Sequence, residues 1–432
     1  MTTPIADFIE NYIKSDMSRL HMPGHKGLSF PEDITEVCGA DSLYTADGII
    51  AQSEQNATKI FGSKHTFYST EGSSQCIKAM LTLAVSNREN KNERPLILAA
   101  RNVHKAFLHA AALIDFDVEW LLPENSDSIC KCIISKEQLK SKLETLEKKP
   151  CAVYITSPDY LGNTADISAL SSVCKSFSIP LLIDNAHGAY LKFTGKHPID
   201  FGADMCCDSA HKTLPVLTGG AYLHINNVNF LNNVKETLEI FGSTSPSYLI
   251  LSSLDKANRY MTESFEQELK TLKEKIEKLK VYITDKSDEE LKITVDACEY
   301  GLTGFELSGI LRKNSVECEY ADEQYVVLMF SPFNKDEDFL RIEKVFSDLK
   351  PCKSSKKINV TLPINQATSI RQAYFSPQEE VDIENAENRI CGFSTVSCPP
   401  AIPIALAGER ITKEHIALFK KYNVKKIKVI AK

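Results

Sequence analysis

Four short segments of this 432-residue chain place reactive side chains directly behind apolar runs. In "DSAHKTL" (208–214), Ser209, His211 and Lys212 stand between "MCC" and the stretch leading to "AYLHI". A lysine there is awkward to bury as a cation, but it can discharge itself by forming a Schiff base, and a desolvated amine is the better nucleophile for doing so. In "IDNAHGAY" (183–190), Asp184 ends an apolar run and is followed by Ala186 and His187. Burying that carboxylate unpaired would cost roughly several kcal/mol, so it calls for a cationic partner. In "TEGSS" (70–74), Gly72, Ser73 and Ser74 precede an apolar helical run. Small hydroxyl residues and N–H groups at a helix N-terminus cradle phosphate, although the same residues also serve as a simple N-cap. In "RNVHKA" (101–106), His104 offers a ring that could lie flat over a planar ligand.

A phosphate cup, a stacking ring, a buried carboxylate and a Schiff-base lysine, in that order, describe a pyridoxal 5'-phosphate site. Asp184 would keep the pyridine nitrogen protonated so that the ring accepts electrons, and Ala186 is small enough for the ring to pack against its strand.

These residues need a sheet to bring them together. The runs "TFYST", "PLILAA", "VEWLL", "CAVYIT", "PLLID", "MCCD" and "GAYLHI" read as buried strands separated by helix-length amphipathic segments. That rhythm predicts an α/β fold with a mainly parallel sheet, whose ligands bind outside the carboxyl ends of the strands. Between two of the strands, "SKEQLKSKLETLEKK" predicts a helix with Ser135 and Gln138 spaced as a capping box. From about Thr262, the stripe Phe265, Leu269, Leu272, Ile276 and Leu279 predicts a long helix leaving the large domain. The expected organisation is an N-terminal arm or lid (1–45), a large domain (46–285) and a smaller C-terminal α/β domain (286–432). Within the arm, "HMPGHKG" carries His21 and His25 and reads as a folded-back lid or interface element, or as a turn.

Composition excludes other classes. Fifty basic and 57 acidic residues give a net charge of −7 without long single-sign blocks, so neither a nucleic-acid nor a membrane-surface partner is expected. No apolar run approaches the roughly 20 residues that span a bilayer. The N-terminus lacks a basic start followed by an apolar block, and a cytoplasmic location is expected. The 13 cysteines include no CxxC pair, which points to reduced core thiols with no bound metal.

The chain resembles the fold-type I Orn/Lys/Arg decarboxylases of bacteria, in their shorter form. The resemblance spans nearly the whole sequence: "HMPGHKG" (21–27), "GIIAQSEQNATKIFGSKHTFYSTEGSS" (48–74), "RNVHKA" (101–106), "SPDYLGNTADI" (157–167), "IDNAHGAY" (183–190), "SAHKTLPVLTGGAYLH" (209–224), "STSPSYLILSSLDKA" (243–257) and "CPPAIPIALAGERIT" (398–412). It implies an aspartate aminotransferase-like large domain and a pyridoxal phosphate cofactor. Lys212 is then the Schiff-base lysine, with Asp184 on the pyridine nitrogen, His104 stacked on the ring, and Gly72, Ser73, Ser74, Ser209 and His211 around the phosphate. Such enzymes are built on dimers, and the resemblance places Thr244 or Ser245 across the interface at the neighbouring site. The implied reaction is decarboxylation of a basic amino acid, arginine or lysine ahead of ornithine, to an amine of the polyamine class. Lys212, His211 and His187 are alternatives for returning the proton to Cα.

Departures from the family pattern bear on the substrate. Glu71 replaces Asn, Asp159 replaces Thr, Gly219 replaces Gln, and the "YPPGIP" element becomes Cys398 to Pro403 with Ala401 in place of Gly. Asp159 and Glu409 are candidates to meet a distal cation. The alternatives are an aminotransferase or lyase on the same scaffold, for which Arg371 would clamp the substrate carboxylate, or an idle pyridoxal-phosphate-binding paralogue.

Overall fold

A computed structural model describes residues 1–352, 360, 364–394 and 400–431. All seven predicted runs are strands: β1 (His65–Ser69), β2 (Leu96–Ala100), β3 (Asp117–Leu121), β4 (Ala152–Thr156), β5 (Leu181–Asp184), β6 (Met205–Asp208) and β7 (Ala221–Ile225). They form one sheet in the order β1-β7-β6-β5-β4-β2-β3. Their central members are buried on both faces, which explains why they read as continuous apolar runs rather than as alternating ones.

β4, β5 and β6 are parallel, in a register that sets Thr156 beside Asp184 and Asp184 beside Cys207. β7 runs antiparallel to both β6 and β1. The β6–β7 connection, residues 209–220, contains only a single helical turn (Ala210–Thr213) instead of a crossover helix, and β7 returns antiparallel. Lys212 rides on that reversal.

The chain forms two compact units that interleave in sequence. The first comprises residues 1–97, 143–157 and 166–267, and the second 98–142, 158–165 and 268–432. This differs from the contiguous spans ending at 45 and 285 expected above, because the segments following β2 and β4 pack with the C-terminal part of the chain.

In the first unit, helix α1 (Pro4–Lys14) is held by Asp255, whose Oδ2 accepts the Ile5 and Ala6 amides at 2.9 and 3.0 Å. Helix α2 is Ile49–Phe61, and α3, Ser73–Ser86, carries the apolar run predicted behind Gly72. In the second unit, α4 (Lys105–Ala110) follows β2. There α5 (Lys136–Thr145) begins with the predicted capping box: Gln138 N donates to Ser135 Oγ at 3.1 Å, and Ser135 N to Gln138 Oε1 at 2.9 Å. Two three-stranded sheets complete this unit, β8 (Lys292–Asp296), β9 (Tyr320–Ala321) and β10 (Tyr325–Met329) in one, and β11 (Gln378–Asp382), β12 (Cys391–Phe393) and β13 (Lys426–Ile430) in the other. The predicted stripe on the helix Phe265–Leu279 is buried at all five positions. No helix among the described residues is long and apolar enough to cross a membrane.

Candidate active site

In the first unit, Asp184 is the last residue of β5 and is buried. Its Oδ2 accepts the Tyr154 hydroxyl at 3.0 Å and its Oδ1 the Ala186 amide at 3.2 Å. Burial raises its carboxyl above the usual range, opposed by the nearby charge of Lys212. Lys212 Nζ lies 2.9 Å from His187 Nε2. His211 contributes Nδ1, 3.0 Å from Gly220 O, and its partial burial lowers its pKa. This leaves Nε2 of a neutral His211 as an acceptor.

The start of α3 suits an anion. Gly72, its N-cap, has φ +72° and no side chain caps the helix. A Cβ at Gly72 would meet only Ser74 N, at 4.0 Å, so the space over the first-turn amides is open. Ser209 Oγ donates to Ser73 Oγ at 2.7 Å, joining this helix start to the turn that carries Lys212. Gly72 N donates to Gly219 O at 2.7 Å. Gly219 itself has φ +100°, and a Cβ there would stand 2.8 Å from Thr70 O, so the departure from Gln suits this backbone. Gly72, Ser73, Ser74, Asp184, Ala186, His187, Ser209, His211 and Lys212 all belong to this unit. Open helix amides with hydroxyls, a buried carboxylate and a lysine beside an imidazole fit pyridoxal 5'-phosphate. Thr244 and Ser245 lie on an exposed loop of the same unit, and Glu71 is exposed.

The remaining candidates belong to the second unit. His104 is the N-cap of α4, its Nδ1 accepting the Ala106 amide at 3.1 Å, which fixes the ring's orientation. Lys105 N donates to the carbonyl of Ala401 at 2.9 Å, and Ala401 occupies the left-handed region at φ +59°, where the family pattern has Gly. Cys398 lies outside the described residues.

The expectation that Asp159 and Glu409 stand open to a substrate is corrected, because each is buried and engaged internally, whereas Arg371 is exposed. Fully buried Asp159 accepts the amides of Leu161 (2.9 Å) and Asn163 (3.0 Å) and the Asn163 side chain, and burial pushes its carboxyl up to about 7. Glu409, also buried, accepts the Leu406 amide at 2.7 Å and lies 3.9 Å from Arg101, which donates to the carbonyls of Pro403 and Ile404. Arg371 donates to the carbonyl of Ala112 at 2.8 Å.

Sequence reasoning passed over a second polar cluster, built around Asp208 at the end of β6. Asp208 Oδ2 accepts from Nε2 of His197 (3.0 Å) and His224 (3.1 Å), all three residues being fully buried. Burial pushes the Asp208 carboxyl up, but the two imidazoles outweigh it and hold it well below the usual range. Their spacing would admit a metal ion. However, His197 Nδ1 faces the Ile199 amide, which can only donate, so the imidazole proton sits on Nε2 and no lone pair is offered there. Asp208 Oδ1 accepts Asn185 Nδ2 at 2.7 Å, so the cluster ties the ends of β5, β6 and β7 together. Tyr154 was missed for a different reason, since a tyrosine inside an apolar strand reads as core.

The family model for the major domain of Orn/Lys/Arg decarboxylases matches residues 28–295. The chain is 29% identical to YaaO of Bacillus subtilis over 458 residues, covering 96% of this chain and 93% of that protein. It is 27% identical over 461 residues to a Bacillus subtilis arginine decarboxylase, covering 96% and 92%. Among solved structures, the lysine decarboxylase LdcF of Francisella novicida superposes with a TM-score of 0.78 at 17% identity, covering 99% of this chain and 81% of that one. The structural likeness shows the fold-type I scaffold of pyridoxal phosphate enzymes. Matched by the family model over more than half its length, the chain belongs to the Orn/Lys/Arg decarboxylase family and is a pyridoxal-phosphate-dependent amino-acid decarboxylase.

Proposed function

We propose that this enzyme converts arginine or lysine, ahead of ornithine, to the corresponding amine and CO2. The observation that supports this most is the placing of Asp184 and Lys212 on neighbouring strand ends of one unit, each with a hydrogen-bonding partner in position. Similarity to arginine decarboxylases over almost the full length favours the basic substrate.

When bound, pyridoxal phosphate supplies an electron sink for the negative charge that loss of CO2 leaves on Cα. Asp184 holds the proton on the ring nitrogen. Lys212 would hold the cofactor covalently through Nζ. His187, in hydrogen-bond reach of Lys212 Nζ, takes up or returns a proton at that nitrogen. The α3 amides with Ser73, Ser74 and Ser209 hold the phosphate, whereas Nε2 of neutral His211 is an acceptor and does not donate to it. Asp159 and Glu409 position their own loops, and Arg371 donates to the carbonyl of Ala112. We place the enzyme in the cytoplasm as a homodimer supplying polyamine-type amines.

The deciding assay incubates the purified holoenzyme with arginine, lysine and ornithine. Amine plus CO2 is the expected outcome. Keto acid, or turnover confined to neutral or acidic amino acids, would overturn the reading.

A further inference from the structure

Asp184 is flanked on both sides by side-chain donors from the adjacent parallel strands. Tyr154, in the middle of β4, donates its hydroxyl to Oδ2 at 3.0 Å. From β6, Cys207 brings its thiol to 3.7 Å of Oδ1. Both are fully buried, and the thiol is held protonated by that burial. The charge of Lys212 and the Ala186 amide complete the polar surroundings of the carboxylate.

A buried carboxylate facing a ring nitrogen can share one proton in two ways. It forms an ion pair with the charged ring, or a neutral pair in which the carboxyl keeps the proton. A dry environment favours the neutral pair. That arrangement would strip the ring of the charge that makes it withdraw electrons. Each hydrogen bond donated to the carboxylate shifts the balance back, because it stabilises the ionised form.

We propose that Tyr154 is a positioning residue which, by donating its hydroxyl to Asp184, keeps that carboxylate ionised and oriented so that the shared proton stays on the cofactor's ring nitrogen. This rests on the reading of Asp184 as the partner of that nitrogen. Burial and the neighbouring carboxylate raise the Tyr154 hydroxyl well above its usual range, so it remains a donor throughout the working pH range. Tyr154 is a stronger donor than a thiol, which assigns it the larger share.

The test compares wild type with Tyr154→Phe, which keeps the ring and removes the donor. In the cofactor-free protein, the carboxyl resonance of isotopically labelled Asp184 should titrate at higher pH in the variant. With 15N-labelled pyridoxal phosphate bound, the ring-nitrogen shift should move toward the neutral value, and kcat should fall about tenfold to a hundredfold while KM barely moves. Placing 3-fluorotyrosine at position 154 preserves the fold and strengthens the donor, so it should shift the Asp184 titration the opposite way. If neither substitution moves the titration or the nitrogen shift, Tyr154 is merely packing and the proposal fails. If Asp184→Asn itself leaves the nitrogen shift and kcat unchanged, the underlying assignment of Asp184 falls instead.

Discussion

His187 Nε2 and Lys212 Nζ stand 2.9 Å apart, although 25 residues separate them in sequence. An amine that must gain and lose a proton in each cycle thereby has an imidazole within hydrogen-bond reach with which to exchange it. His187→Gln should lower kcat by about a hundredfold or more while the bound-cofactor absorbance persists. An unchanged kcat in steady-state assays would remove His187 from the proton path.

Lys212 should carry the cofactor covalently. Borohydride reduction of the holoenzyme followed by peptide mapping should mark the peptide containing residues 209–224, and Lys212→Ala should abolish both the adduct and the visible band. An adduct on Lys105 or Lys26 would refute the assignment.

Asp159 should leave a signature in stability. Burial places its carboxyl at about 7 in the folded chain, against about 3.9 when unfolded. The folded state therefore holds this proton more tightly. The resulting stabilisation is fully present below about pH 4 and is lost as pH rises through about 7. Asp159→Asn, neutral throughout, lacks this dependence, so wild type should lose stability relative to the variant between pH 5 and 8. Urea midpoints at the two pH values would show it, and a constant difference would count against it.

The exposed loop carrying Thr244 and Ser245 should act at the partner's site if the enzyme is a dimer. Mixing Lys212→Ala protomers with a Thr244→Ala/Ser245→Ala variant should recover about a quarter of the sites under random two-fold pairing. Failure of mixed dimers to recover activity would assign the loop to its own protomer.

Much of this was legible in the sequence for a definite reason. A strand covered on both faces is apolar throughout, so the polar residues at or just beyond its end stand out, as Asp184 and Lys212 did, although Asp208, which ends β6, was passed over. The same logic hid Tyr154, whose phenol is indistinguishable from core until the register sets it beside a carboxylate. It also misled at Asp159 and Glu409, because a charge near a motif does not reveal whether backbone amides will claim it first. The direction of β7 depends on the three-dimensional path of a twelve-residue connector, which periodicity does not encode. The interleaving of the two units depends on which loops pack late in the chain, and is equally silent there.

That interleaving has a consequence in time. The segment that opens the second unit begins at residue 98, whereas the bulk of its packing partners start at residue 268. At a synthesis rate of about 5–20 residues per second, roughly 10–30 seconds separate the appearance of residue 98 from that of residue 268. Phe107, Phe116 and Trp120 in that segment pack on one another and are buried in the finished protein. The second unit therefore closes only after the first has been made in full.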